Sequence, residues 1–433
     1  MPYSTDTRTL RPGDTYVAIR GERYDGHDFA CEALRKGAAN VIAEHPLSDL
    51  PPDRVQCVQN TELYLAGIAR DKIVSAQCQV IAITGSVGKT STKNAIATVL
   101  ASAFPVTASS GNLNTLLGLA LTLANSDLEH ESRLVLEMGA TRKGDIEEIC
   151  TWFSPHISVV TNVRGVHLET FGSLRGVQTA KSEIVLALDG HGIACLNADD
   201  PLTREMQDKC RGRTVLFGRS RNSHITPQHI TVQLPLLGDH ALYIAMAAFA
   251  VGRAAGMDGL AINAALRHLK AEKGRLRRLE ARNGALLIDD SYNASPDATR
   301  AALQVLRTVE AKRRIAFLGD MLELGPGELD AHVNAVEEAV EAADLVFVAG
   351  DIMKIAFDNL PPAVQSRVCA FDNSATLSKD LEAGKVYMPE RGDTILVKGS
   401  QGARMERISK VLLAEDIPPE EVLPRQSASW LAL

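Results

Sequence analysis

The chain has 433 residues, and at about 150 residues per domain that length predicts roughly three domains. Its 46 Lys and Arg against 53 Asp and Glu leave a formal charge of −7, which argues against a surface built to coat nucleic acid while permitting a local basic pocket. Hydrophobic residues at 45% suffice for cores and exclude a disordered chain, and aromatics at 4% leave no base-stacking platform.

The N-terminus, Met1 to Arg8, lacks a basic stretch followed by an apolar block, so no signal peptide is expected. The extended run Asp14–Ile19, a helix over Phe29–Lys36 and the apolar Ala38–Ala43 read as a small α/β unit ending near Gln77. Val80–Ile83 is a short buried strand that opens a second unit. From there to about Ala271, strands at Leu134–Leu136, Ile157–Val160 and Ile193–Leu196 alternate with helices over Thr92–Ala103, Gly144–Cys150 and Ala180–Leu188. Near-continuous apolar strands alternating with helices predict a parallel sheet covered on both faces. The longest apolar run, Ala241–Val251, falls short of the roughly 18 residues that would suggest a membrane span. Charged residues ending in Gly274 read as a linker, and a third unit repeats the pattern with strands at Ala285–Ile288, Arg314–Leu318, Leu345–Ala349 and Thr394–Val397. The Pro- and Glu-rich tail after Glu415 reads as surface. Seven scattered cysteines without C-x-x-C fit small buried thiols in a reducing, cytoplasmic setting.

One motif carries chemistry by itself. Ile81-Ala-Ile-Thr-Gly-Ser-Val-Gly-Lys-Thr90 is a strand, a glycine turn, Lys-Thr and then a helix. Two glycines let backbone N–H groups converge on phosphate oxygens, and the following helix turns its positive end toward them. Lys89 supplies a point charge for the outer phosphates, and the Thr90 hydroxyl can ligate Mg²⁺. The longer P-loop pattern wants glycine where Ile83 stands, so the match is to a shorter form. Three further residues are ambiguous singly. Glu137 ends an apolar strand, where a carboxylate can hold Mg²⁺ or simply be solvated. His167 follows the strand Ile157–Val160 after a short loop, and a lone His is more often a satisfied polar residue than a ligand. Lys181 alone would read as an exposed helix lysine.

In order and spacing these residues, with Asp6-Thr-Arg8, Pro12-Gly-Asp14, Gly21 to His27, Gly111-Asn-Leu-Asn114, Glu137-Met-Gly139, His167 to Gly172, Ala180 to Ile184, Asn197 to Pro201, Asp289 to Pro296, Leu318 to Gly325 and Lys398-Gly-Ser400, resemble the Mur ligases. These are the ATP-dependent amide-forming enzymes of peptidoglycan precursor assembly, and the resemblance covers nearly the whole chain. The Tyr-Asn-Ala-x-Pro and Gly-Asp-Met-Leu-Glu-Leu-Gly segments look like the member that adds D-alanyl-D-alanine to UDP-N-acetylmuramoyl-tripeptide. The resemblance implies an α/β fold of three domains: a small N-terminal domain at 1–77, a central P-loop ATPase domain with a parallel sheet at 78–271, and a Rossmann-like C-terminal domain at 272–433. It implies ATP and Mg²⁺ as cofactors, with Thr84, Gly85, Ser86, Val87, Gly88, Lys89, Thr90 and Ser91 around the phosphates. Thr90, Glu137, His167 and Lys181 would hold metal, Lys181 as the lysine that is carbamylated in the family. Asn293 would contact the nucleotide and Arg275 its phosphates; Lys89, His167, Lys181 and Arg275 would serve catalysis. Thr7, Arg8, Asp25 and His27 would hold the UDP part of the acceptor, Asn112 and Asn114 would line its channel, and Asp320 and Glu323 would face substrate in the third domain. The carboxylate would be activated as an acyl phosphate and then attacked by the dipeptide amine, in a cytoplasmic monomer with no nucleic-acid partner and no stable membrane insertion.

Four departures from the family pattern set expectations of their own. The chain starts almost on Asp6-Thr-Arg8, so the strand and helix that usually precede this motif are expected to be missing. Gly218 to Gly238 is short, which implies loss of part of an accessory sheet. Ala241 and Ile244 follow His240 where the family carries asparagines, one of them expected near adenine; Thr115 and Ser295 also stand where asparagine is common. A sibling ligase with another acceptor, or a nucleotide-binding module without ligase activity, are the alternatives these departures leave open.

Overall fold

The structure, a computed structural model, describes residues 2–21, 24–111, 113–165, 168–427 and 430. They form two compact units, the first comprising 1–233 and 242–268, the second 234–241 and 269–433.

The first unit holds two sheets. Strands β1 (Tyr3–Ser4), β2 (Thr15–Val17), β3 (Asn40–Ala43) and β4 (Val55–Cys57) pair in that order, all parallel. A two-residue strand, β1, lies immediately before Asp6-Thr-Arg8. The second sheet contains β5 (Gln79–Thr84), β6 (Val106–Ala108), β7 (Arg133–Glu137), β8 (Ile157–Val160), β9 (Ile193–Asn197) and β10 (Arg213–Phe217), in the spatial order β10-β9-β8-β5-β7-β6 and parallel throughout. The apolar runs of β5, β7 and β8 are buried almost end to end because helices cover both faces. β5 lies between β7 and β8, so the chain departs from its carboxyl end in both directions, and ligands of open α/β sheets settle at such a point.

One core joins the two sheets. Asn60 caps the helix Thr61–Ser75 by accepting from Leu63 N at 2.8 Å. That helix packs on the helix Leu116–Ala124. Val17 and Ile42 of the small sheet share a cluster with Leu65, Leu119, Leu134 and Leu136. Between Gly218 and Gly238 the described residues form a 3₁₀ turn at Pro227–His229, and Ile225 makes an isolated bridge to Phe217.

The second unit is a six-stranded sheet of β11 (Arg277–Glu280), β12 (Leu286–Asp290), β13 (Arg313–Gly319), β14 (Leu345–Ala349), β15 (Val368–Phe371) and β16 (Asp393–Lys398), ordered β11-β12-β16-β13-β14-β15. Only β11 runs antiparallel to its neighbour. Its two faces carry separate cores, one around Leu287, Phe317 and Val397, the other around Ile288, Ala316 and Leu396. The tail after Glu415 is a surface segment only in part, with Asp416, Pro418, Glu420 and Glu421 exposed as its composition implies. Val422 and Leu423 join the first of these cores, Leu423 at 1% exposure. No helix among the described residues is long and apolar enough to cross a membrane.

Candidate active site

The phosphate loop follows β5 directly. Gly85 takes φ +150°, and a Cβ there would lie 1.9 Å from Thr161 Oγ1, so only glycine lets the loop pass. Gly88, at φ +82°, caps the helix Lys89–Ala101. The loop is braced from the segment after β8: Ser86 N and Val87 N donate to Asn162 O and Asn162 Oδ1, each at 3.0 Å. Thr161 Oγ1 and Asn162 Nδ2 donate to Val87 O at 2.8 and 2.9 Å, and Arg164 N donates to Ser86 Oγ at 2.9 Å. The first-turn N–H groups at Lys89, Thr90 and Ser91 have no acceptor within their helix, which gives this terminus its affinity for anions. Lys89 Nζ donates to Gly85 O at 2.9 Å and to Ser86 O at 3.4 Å, so the lysine folds over its own loop. Thr84 is fully buried beneath it.

The carboxyl end of β7 adjoins this turn. Thr90 Oγ1 donates to Glu137 Oε2 at 2.8 Å, and Asn114 Nδ2 donates to Glu137 Oε1 at 3.1 Å. Glu137 N in turn donates to Ser109 Oγ at 3.0 Å, and Ser109 O accepts from the buried Lys93. Gly139 N donates to Asn114 O at 2.9 Å, and a Cβ at Gly139 would come 2.7 Å from Asn114 Oδ1. Two hard oxygens, one hydroxyl and one carboxylate, thus stand beside the phosphate loop, a donor pair that suits Mg²⁺.

Lys181 lies on the helix Leu174–Leu186 and is 2% exposed, not the solvated lysine that it would be if read alone. Burial, with the neighbouring charge of Lys89 adding to it, pushes its ammonium down to about 7. A buried lysine at that value presents a neutral amine to an electrophile near neutral pH. Asn112 and His167, both candidates, lie outside the described residues.

The small sheet carries the acceptor-side candidates at the carboxyl ends of its strands. Arg8 is mostly exposed and forks onto Asp6, with Nη2 to Oδ2 at 2.6 Å. Thr7 Oγ1 donates to Glu32 Oε1 at 3.3 Å. His27 Nε2 accepts from Glu44 N at 2.9 Å, which leaves Nδ1 to donate to Asp25 Oδ1 at 2.5 Å. The His27 backbone N–H and ring together hold Asp25 at about 2. At 6% exposure His27 spends both ring nitrogens inside the fold, so it shapes the loop, while Arg8, paired with Asp6, keeps an exposed guanidinium.

In the second unit Arg275 lies with its Cζ 4.5 Å from the Tyr292 ring centroid. Asn293 is exposed next to it, its carbonyl accepting from Lys398 Nζ at 3.1 Å. Lys398 is buried and paired with Asp290 at 2.5 Å. Asp320 Oδ1 accepts from Met353 N at 2.8 Å and is 9% exposed, so much of this carboxylate caps the helix Asp351–Asp358. Glu323 is exposed on a left-handed turn at φ +64°.

Models of three families match in succession: Mur ligase family, catalytic domain, at 3–77; Mur ligase middle domain at 83–252; and Mur ligase, glutamate ligase domain, at 274–401. The chain is 35% identical to the UDP-N-acetylmuramoyl-tripeptide–D-alanyl-D-alanine ligase of Escherichia coli strain K12, over 94% of this chain and 93% of the relative. The chain belongs to the Mur ligase family. A crystal structure of MurF from Acinetobacter baumannii superposes with a TM-score of 0.86 at 28% identity, over 95% of this chain and 93% of that one. The MurF ligase of Thermotoga maritima, solved in complex with ADP, gives 0.78 at 29% identity over 95% and 96%.

Several polar contacts here have no counterpart in the motif reading. Asn162 was visible only as part of a loop after a strand, yet it supplies the main brace of the phosphate turn. Thr115 caps the helix Leu116–Ala124 through Gly118 N at 3.3 Å, a role that asparagine would also fill. Neither Ala241 nor Ile244 offers a side-chain hydrogen bond. Tyr243, between them on the helix His240–Ala254, donates its hydroxyl to Asp199 Oδ2 at 2.9 Å.

Proposed function

We propose that this chain joins D-alanyl-D-alanine to UDP-N-acetylmuramoyl-tripeptide with hydrolysis of ATP, in peptidoglycan precursor synthesis. The observation that carries the reading is the cluster at the carboxyl end of β5: a phosphate loop, a Thr90–Glu137 oxygen pair and two adjacent lysines, one of them buried, in a chain akin to enzymes of that name.

Amide formation begins by bringing two anions together, the acceptor carboxylate and the terminal phosphate of ATP. Lys89 and the first-turn N–H groups offset that repulsion, and Arg275 is assigned to the nucleotide phosphates. Thr90 and Glu137, with His167, would hold Mg²⁺, which when bound would supply further positive charge beside the phosphates. Lys181, once carbamylated, would join the residues that hold the ion: its neutral amine adds to the carbon of carbon dioxide and releases a proton, which leaves an oxygen-bearing anion, and its depressed value supports that role. Asn114 holds Glu137 in place and, with Asn112, faces the acceptor. Thr7 and Arg8 hold the UDP end, and Asp25 and His27 hold the loop that carries it. Asn293 meets the nucleotide, while Asp320 and Glu323 shape the side from which the amine arrives. Domain limits at 1–77, 78–271 and 272–433 fit the spans of the three family models. The protein acts as a monomer in the cytoplasm, where ATP and nucleotide-linked precursors are found.

Phosphate release in the presence of a panel of acceptors and amines tests the assignment. Release is expected with the muramoyl tripeptide and D-alanyl-D-alanine together, and Lys89→Ala is expected to abolish amide formation without unfolding the chain. Release only with a different acceptor would move the assignment to a sibling ligase. Product formation by a folded Lys89→Ala variant would remove the phosphate role of this loop.

A further inference from the structure

Arg425 belongs to the tail whose composition reads as surface, yet its side chain is 5% exposed. Nη1 donates to Ser291 O at 3.1 Å and to Glu406 Oε2 at 2.8 Å, and Nη2 donates to Tyr292 O. Glu406, itself 1% exposed, also accepts from Arg404 Nε at 2.6 Å. A buried guanidinium is tolerated only when paired and hydrogen-bonded. Here two arginines and a carboxylate are withdrawn from water to fix the turn Ser291–Tyr292.

That turn carries the platform of Arg275. The Tyr292 ring has the Arg275 guanidinium carbon 4.5 Å from its centroid and that of Arg425 5.5 Å away. The tail also ties the chain on either side of Arg275. Lys273 Nζ donates to Glu420 O at 2.6 Å, and Arg277 Nη1 donates to Val422 O at 3.4 Å. Gly274, at φ +71°, passes so near the turn that a Cβ would sit 2.8 Å from Tyr292 N and 3.0 Å from Pro424 Cγ. Tyr292 N closes the arrangement by donating to Gly274 O at 3.1 Å.

We propose that Arg425 is a positioning residue for phosphoryl transfer: it fixes the backbone and ring of Tyr292, and through that ring the guanidinium of Arg275. The proposal rests on the reading of Arg275 as a contact of the nucleotide phosphates. Steady-state kinetics of the full chain, with ATP and the UDP-linked acceptor varied in turn, test it. Arg425→Met is expected to lower kcat/KM for ATP roughly tenfold, the order that a small misplacement of a charge-stabilising group costs. The KM for the acceptor should stay within about twofold, since only the ATP-facing group is displaced. Arg425→Lys, which keeps the charge and loses the fork, should recover part of the loss. Because Arg425 acts through Arg275, the double variant with Arg275→Met should be no worse than Arg275→Met alone. Additive losses in the double variant, or equal losses toward ATP and acceptor, overturn the proposal. An inert Arg425→Met beside a damaged Arg275→Met overturns the proposal and leaves the phosphate role standing. A fully active Arg275→Met removes that role and the proposal with it. If Arg425→Met does not fold, Tyr292→Leu removes the platform while leaving the buried ion group whole, and the same cycle with Arg275→Met decides.

Discussion

Lys181→Met is the sharpest perturbation, because it separates what a buried lysine does for chemistry from what it does to stability. The ammonium falls from 10.5 in the unfolded chain to about 7 in the fold. The unfolded chain therefore binds more protons between pH 7 and 10.5, and stability rises with pH across that window. At about 1.4 kcal/mol per pH unit, the free chain carries a cost of roughly 4 kcal/mol at pH 7 and about 2 kcal/mol at pH 9. Methionine fills a similar volume without a charge. In buffer freed of carbon dioxide, Lys181→Met should be more stable than the parent by roughly 4 kcal/mol at pH 7, and the gap should shrink to about half at pH 9. Urea unfolding at the two pH values measures both. Amide formation should be lost in the same variant. Added bicarbonate should raise the unfolding midpoint of the parent and not that of the variant, because carbamate formation binds the folded state. A variant less stable than its parent at pH 7, or a gap that ignores pH, would refute the placement of Lys181 as a buried and partly neutral amine.

Two further outcomes follow from the same geometry. Gly85→Ala should lose ATP binding, measured by calorimetry, and unfold at lower urea, because its methyl group would lie 1.9 Å from Thr161 Oγ1 on a backbone at φ +150°; a variant that still binds ATP normally would mean the loop does not need that close approach. Asp289 is fully buried and pushed up to about 6 by burial, with Oδ1 accepting from Ser409 at 2.6 Å and Oδ2 unpartnered. Its folded value lies above the unfolded 3.8, so the folded state binds more protons and stability falls as pH rises through that window. Asp289→Asn should then stabilise the second unit by about 3 kcal/mol at pH 8 and about half as much at pH 5, read from urea midpoints. A pH-independent difference would show that the carboxylate is ionised throughout.

How far this site could be read from the sequence depended on whether a signal was local. The phosphate turn was legible because its strand, glycines, Lys89 and Thr90 are contiguous, and each is required by the same backbone geometry. Glu137 was legible only as a place, the end of a buried strand; its partnership with Thr90 spans 47 positions and depends on β5 and β7 being neighbours in the sheet. Strand positions followed from apolar runs to within a residue or two, as at Ile157–Val160 and Leu345–Ala349. Lys181 was illegible by pattern. Its helix buries Val177, Gln178, Ala180, Lys181, Ser182, Glu183, Ile184 and Val185, nearly all round, so no polar stripe marks which face is wet. The tail failed in part, and for the opposite reason. Its Pro and Glu content predicts a surface segment, but Val422, Leu423 and Arg425 are drawn in by a core and by Glu406, contacts that lie in no local window. Composition describes what a segment would do alone; burial of an ion group such as Arg404, Glu406 and Arg425 is decided by partners far along the chain. The residues most worth altering are therefore those where local preference and tertiary placement disagree, because their substitution reports on the placement and not on the propensity.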